Sequence, residues 1–350
     1  MKRIGCWLLS LTLIVALFSS CKAGKTKYTA YWFDYFDTVT TIVGYENSQQ
    51  DFDAKANKIK ELLEEYHKLY DIYNSYDGIN NLYTVNQLTA GKHKEVTVDK
   101  KIIDLLQFAQ EMYTTTQGKV NIAMGSVLKI WHQYRQNGLN NPKNAQLPPD
   151  DILQNASQHT NIEDIKINKT DSTVYLADSE MSLDVGAIAK GYTAEMIAKW
   201  MISKNYNGYI LNIGGNVRTV GERPSGEKWK VGIENPDTSD TENPYIEYLE
   251  LGEMSLVTSG SYQRFYTVDG KNYHHIIDSK TLKPADNFLS VSVLCENSGV
   301  ADALSTALFC LSYEQGISVL EHFTDVEVMW VLPNGEKLYT NGFRYVSKNN

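Results

Sequence analysis

An α+β fold, with mixed sheets and packed helices, is what the order of periodicities along this chain predicts. Three helix-like stretches fall before residue 140, short strand-like runs dominate from Thr173 onward, and no regular strand–helix–strand beat joins them. With 350 residues, 42% hydrophobic and 21% charged, the chain suffices for one large domain or two smaller ones. Its formal charge of -9 argues against nucleic acid as a partner, because phosphate backbones call for a basic face.

Residues 1–21 read as a targeting segment. Lys2 and Arg3 precede the apolar run Gly5–Phe18, which is too short to span a bilayer comfortably. Phe18-Ser19-Ser20-Cys21 then places small residues before a cysteine. That resembles a bacterial lipobox, whose cysteine is lipidated and becomes the mature N-terminus. The expected organisation is a signal peptide over 1–20, a lipid anchor at Cys21, a tether over 21–30 and a single domain over 31–345, in one or two lobes. Removing residues 1–20 takes away Lys2 and Arg3 and no acid, which brings the charge from -9 to -11. Such an acidic body should hang from its lipid rather than lie flat on anionic headgroups. Cys6 leaves with the signal. Cys295 and Cys310 remain, and an oxidising envelope would permit their pairing without requiring it.

Thr38–Tyr45 alternates as a strand. Phe52–Tyr73 reads as an amphipathic helix with Phe52, Ile59, Leu62, Leu63, Tyr66, Leu69, Tyr70 and Tyr73 on one core-facing stripe. Asn74–Asn86 reads as a polar loop, Asp99 as the cap of a second helix, and Val120–Trp131 as a short third one. Asn137–Asp150, rich in Asn and Pro, is the candidate long loop or lobe boundary. The strand-like runs are Thr173–Ala177, Gly208–Ile213, Trp229–Ile233, Tyr248–Leu251, Asn272–Ile277, Leu289–Leu294, Val326–Leu332 and Glu336–Thr340. The last two flank a Pro333-Asn334-Gly335 turn.

Leu183–Tyr192 puts an acid, two glycines and a lysine where an extended run gives way to a helix expected to start near Gly186. Helix-start amides attract anions and glycines admit close approach, although an ordinary strand–turn–helix corner has the same look. No Walker loop is present, since Lys190 precedes its glycine. Ser298 is placed to cap a helix reaching about Leu311, with Asp302 and Thr306 at i and i+4 on one face. A carboxylate, a hydroxyl and a carbonyl from elsewhere suit Mg²⁺; dipole complementation by Asp302 and packing by Thr306 are the plainer account. Ile213-Gly-Gly-Asn216 suggests close approach or a bulge, and Val257–Arg264 offers hydroxyls, amides and a guanidinium suited to phosphate. His274 and His275 point to opposite faces of a strand, so at most one serves a site.

Taken in order, these motifs resemble the ApbE family of flavin transferases over roughly residues 30–340. Asp184-Val-Gly-Ala-Ile-Ala-Lys-Gly-Tyr192, Asn212-Ile-Gly-Gly-Asn216, Trp229–Pro236, Thr258-Ser-Gly-Ser-Tyr262, His274–Asp278 and Ala301-Asp-Ala-Leu-Ser-Thr306 carry the likeness. The resemblance implies a T-fold-like architecture with the site between two lobes. It also implies Mg²⁺ on Asp302, Thr306 and the Ala187 carbonyl. FAD contacts would come from Asp184, Lys190, Tyr76, Lys119, Val120, Asn121 and Ile276, and His275 would assist proton transfer. Phe36 stands at a further flavin-contact position, where Phe36-Asp37-Thr38 replaces the family's Met-Gly-Thr. Val120-Asn121 replaces Phe-Asp, and Ser279 replaces a proline.

The reaction so implied moves FMN from FAD onto a threonine or serine hydroxyl of a target protein and releases AMP. The target would be a subunit of a redox complex, and the address the periplasm-facing side of a bacterial envelope membrane. Two rivals make different predictions. An FAD diphosphatase would release FMN and AMP without an acceptor, and a non-catalytic flavin-binding lipoprotein would hold FAD without turnover.

Overall fold

Strand pairing begins earlier in the chain than the expected tether allows. The computed structural model describes residues 24–89 and 94–343, so the leader and lipidation expectations at 1–21 lie outside the described residues. Thr26–Tyr35 forms β1, antiparallel to β2 (Thr38–Glu46), with Thr26 opposite Glu46 and Tyr35 opposite Thr38. Ladder hydrogen bonds therefore claim residues 26–30. Phe36 and Asp37 make the turn with φ of 54° and 50°, the left-handed pair that suits a two-residue hairpin.

Ser48 caps α1 (Gln49–Tyr70), which buries Phe52, Ile59, Leu63 and Leu69. The helix ends before Tyr73 because Asp71 Oδ1 accepts from the amides of Tyr73 and Asn74 at 2.7 and 3.0 Å and turns the chain outward. Tyr73 thus leaves the core stripe on which its spacing put it and is 54% exposed. The expected polar loop 74–86 runs into α2 (Leu82–Thr89), whose Leu82 and Val85 are fully buried. After β3 (Val96–Thr97), Asp99 caps α3 (Lys100–Thr115) as expected. α4 (Gly125–Asn140) starts later and runs further than Val120–Trp131, so the Asn-rich stretch begins inside a helix, and α5 (Asp150–Ser157) follows.

β4 (Ile165–Asn168) and β5 (Thr173–Leu176) complete a three-stranded sheet with β3. α6 (Ala189–Ser203) begins at Ala189 rather than Gly186. Then come β6 (Tyr209–Ile213), β7 (Asn216–Val220), β8 (Trp229–Glu234) and β9 (Tyr245–Leu251). β10 (Ser255–Gly260), β11 (Phe265–Val268), β12 (Lys271–His274) and β13 (Ser290–Cys295) follow. α7 (Ser298–Phe309) takes its cap from Asn297, not Ser298, because the Asn297 side chain accepts from the amides of Gly299 and Val300. α8 (Tyr313–Leu320), β14 (Glu327–Val331) and β15 (Lys337–Tyr339) close the chain, the last two paired across the expected turn.

Eight strands form one antiparallel sheet in the order β1-β2-β6-β7-β10-β13-β14-β15. Successive residues face opposite layers. In β2, Ile42 joins the core under α1, α3 and α6, while Val43 packs on the cluster beneath the β8–β9 hairpin. The sheet is therefore covered on both faces, and β13 is buried along its whole length. A separate cluster of Met124, Val127, Trp131, Leu153, Tyr266 and Val268 joins α4, α5 and the β11–β12 ribbon. This is the mixed α+β architecture the periodicities predict. Cys295 and Cys310 are both buried free thiols, so the permitted pairing is not made. Among the described residues no helix is long and apolar enough to cross a membrane.

Candidate active site

Between the sheet-borne helices and the α4 cluster lies a cavity of about 270 Å³. Its inner corner is built on one glycine. A Cβ on Gly191 would lie 2.3 Å from the Asp302 Cβ and 2.3 Å from the Ser298 carbonyl oxygen, so only glycine lets α6 and α7 pack this closely. The Gly191 amide then donates to Asp302 Oδ2 at 2.7 Å. That amide belongs to the first turn of α6, whose N–H groups have no intrahelical acceptor, and Asp302 supplies one. Ala187, in the turn just ahead of the helix, lines the cavity. Behind the corner, Glu195 Oε2 accepts from Arg218 Nε at 3.2 Å and from the Ser298 amide at 3.0 Å, tying α6, β7 and the start of α7 together.

Asp302 Oδ2 accepts a second bond, from Asn216 Nδ2 at 2.9 Å. Its Oδ1 has only Lys190 Nζ, 4.0 Å away. Burial pushes the Asp302 pKa up, against the opposing pull of Lys190 and the two hydrogen bonds. A buried carboxylate with one oxygen open favours a cation beside it. Thr306 sits one helical turn on and lines the same cavity. One carboxylate oxygen, one hydroxyl and one backbone carbonyl fit a hard cation that completes its shell with water and phosphate oxygens. Among the described residues no group of three or more His, Cys, Asp or Glu side chains could hold a metal, so Asp302 would be joined by a hydroxyl and a carbonyl rather than by further acids.

His274 and His275 both line the cavity, against the expectation that at most one would, because β12 ends at His274 and strand alternation does not carry through to His275. His274 is 8% exposed, with Nε2 at 2.7 Å from the Ala285 carbonyl and Nδ1 accepting from the Ile276 amide, its ring edge-on to Phe309. Both its nitrogens are occupied. His275 opens onto the cavity. Its Nδ1 is 3.3 Å from the Arg264 carbonyl, and a carbonyl only accepts; the proton therefore sits on Nδ1 and the lone pair on Nε2. Desolvation, then Arg264 and Lys190, push its pKa down to about 3. The direction of the shift leaves it neutral at pH 7. Asp184, whose Oδ1 accepts from the Gly186 amide at 2.8 Å, has its pKa raised by burial.

Lys119, Asn121, Asp184, Ala187, Lys190, His275, Ile276, Asp302 and Thr306 all line this one cavity. Lys119 is ion-paired with Asp278 of the histidine motif. Asn121 spends its amide on the Thr160 carbonyl and the Ala123 amide. Three expected contacts are not on the wall. Val120 is fully buried in the core. Phe36 and Tyr76 both pack edge-on against His67. The left-handed turn sends the Phe36 ring toward α1, and Tyr76 is held by donation to Asp71 Oδ2 at 2.8 Å. Sequence reasoning missed Thr38, Tyr73, His132 and Arg135, which do line the cavity. Leu128, Trp131, His132 and Arg135 recur at i, i+3, i+4 and i+7, so a cation ending an apolar helical stripe was the available signal.

A family model described as the ApbE family matches residues 36–330. A Klebsiella pneumoniae protein called FAD:protein FMN transferase is 30% identical over 283 residues, which cover 81% of this chain and 83% of that protein. A Treponema pallidum protein of the same name is 32% identical over 253 residues, covering 68% and 67%. Among solved structures, the ApbE protein of Thermotoga maritima superposes with a TM-score of 0.79 at 25% identity, over 93% of this chain and all of that one. The flavin transferase ApbE of Vibrio cholerae gives 0.74 at 22% identity, over 92% and 99%, a likeness of fold.

Proposed function

The chain belongs to the ApbE family, and from that premise we propose that it is an FAD:protein FMN transferase that requires Mg²⁺ and modifies a threonine or serine hydroxyl. The observation that carries the reading is the gathering of Asp302, Thr306, Ala187, Lys190 and a neutral His275 around one cavity.

The acceptor oxygen attacks the flavin-side phosphorus of FAD. A new P–O bond to the acceptor forms as the P–O bond to AMP breaks, and AMP leaves with the bridging oxygen. His275 Nε2 takes the hydroxyl proton; its Nδ1–H, bound to the Arg264 carbonyl, fixes the ring for that task. Lys190 holds phosphate oxygens, and Asp302, Thr306 and Ala187 would hold the metal. A divalent cation bound there supplies charge neutralisation to the diphosphate and its leaving group. Asp184 and Ile276 bound the space left for the flavin nucleotide.

The test mixes the protein, FAD, Mg²⁺ and a Ser/Thr acceptor peptide and looks by mass for an FMN adduct on the hydroxyl. Adduct formation that stops with EDTA is expected. Free FMN and AMP without adduct would make the protein a hydrolase, and FAD binding without turnover would sink catalysis altogether. We also propose that Cys21 carries a lipid that holds the protein on the periplasmic side of a membrane. The Phe18–Cys21 pattern supports this, and Cys21→Ser should move the protein from the detergent phase to the aqueous phase.

A further inference from the structure

Two arginines line the cavity without an ion-paired acid among the described residues. Arg135, near the end of α4, and Arg264, just ahead of β11, both line it. Arg135 Nε is buried and has no hydrogen-bond partner, and Nη2 lies 3.5 Å from His132 Nδ1. Arg264 spends one nitrogen on the Asp37 carbonyl at 2.8 Å. Neither has a carboxylate oxygen within 4.0 Å among the described residues. Burial and then the neighbouring Arg264 charge push the Arg135 pKa down, against a smaller opposing pull from Tyr73 and Asp37. In a chain of net charge -9, such a pair is not generic surface charge. Arg135 is half-buried with its Nε closed off from water, Arg264 is exposed at the cavity mouth, and two guanidinium groups lining one cavity favour an anion between them.

The position of the pair says which anion. Arg264 holds His275 through its own carbonyl, and both arginines act on the His275 ring. A base at His275 has to meet the acceptor hydroxyl beside the phosphorus under attack, so the group seated against the arginines is that phosphoryl group. We propose that Arg135 and Arg264 form an anion subsite for the flavin-side phosphate, distinct from the Asp302–Lys190 corner that serves the AMP side. The assignment rests on FAD being the substrate. It gives two guanidinium forks, matched to phosphate oxygens, a role for which Lys190 alone is too few charges.

The test compares FMN with riboflavin, which differ by that phosphate, in binding titrations on the full-length protein with EDTA present. Arg135→Gln and Arg264→Gln should each weaken FMN about tenfold or more and leave riboflavin within about twofold. Equal losses for both ligands, FMN affinity unchanged in both variants, or FMN no tighter than riboflavin in the unmutated protein would each overturn the subsite. Unchanged FMN affinity with a raised KM for the acceptor peptide would overturn it in favour of an acceptor carboxylate. Arg135→Lys separates a fork from a bare charge: a tenfold loss retained in the lysine variant supports the fork, and full recovery overturns it. Because FMN binding needs neither metal nor turnover, failure of the adduct assay would sink the transfer reading and leave this result standing.

Discussion

On the α6–α7 wall of the cavity the groups around Asp302 are already bonded to one another. Gly191 and Asn216 both donate to Oδ2, and Glu195 holds Arg218 and the start of α7. On the wall made by α4 and the β1–β2 hairpin the reverse holds. Arg135 Nε has no partner, Tyr73 is 54% exposed, and the turn carries two non-glycine residues at positive φ. The first wall fixes charges before any ligand arrives, as electrostatic catalysis needs. The second leaves charges waiting for the ligand.

The largest expected effect falls on the fixed wall. Asp302→Ala should abolish FMN transfer, by a factor on the order of 10³ or more in the mass assay, because a metal clamp supplies several kcal/mol. Retained transfer in Mg²⁺ would show that the preorganised wall is only structural. His275→Ala should slow transfer about 10²- to 10⁴-fold while changing FAD affinity by less than about twofold; equal losses in both would remove the base assignment. The pH profile sharpens the same point. With its pKa pushed down to about 3, His275 is already neutral across pH 5–8, so transfer should show no step near the ordinary histidine value of about 6.5. The sign for stability is the opposite of a paired histidine's: the unfolded ring takes the proton first, so stability declines as pH falls below about 6.5 toward the folded value.

The smallest effect belongs to the open wall. Asp37→Gly should raise Tm by about 1–3 °C, since glycine adopts the φ of 50° there without strain, and should leave transfer unchanged. A lower Tm would mean that the Asp37 carboxylate matters to the neighbouring arginines, and the open wall would then be partly prepaired.

Legibility in the sequence followed the same division. Asp302 and Thr306 show their shared face through i,i+4 spacing, and Asp184 to Lys190 lie close along one turn. What no local pattern shows is that Gly191 is needed for a contact with a helix 111 residues away. The open wall was misread because its residues serve two masters. Tyr73 has core spacing, yet Asp71 turns it out; Phe36 and Tyr76 carry flavin-contact positions, yet His67 collects them both. Arg135 is one helical turn past Trp131 and looks like a solvated end until α4 is placed against the β11–β12 ribbon. Strand β1 escaped because its residues next to the leader resemble a spacer until they pair with β2.

That first strand also acts as a ruler. It is 10 residues long, about 33 Å at the usual rise, and its far end delivers the Asp37 carbonyl to Arg264 at the cavity. From the proposed anchor at Cys21, the five residues 21–25 reach at most about 17 Å further. Were Cys21 lipidated as proposed, the cavity could stand no more than roughly 50 Å from the lipid headgroups, whichever way the body tilts. An acceptor hydroxyl would then have to be offered inside that height, by a target that itself lies on or just above the same membrane.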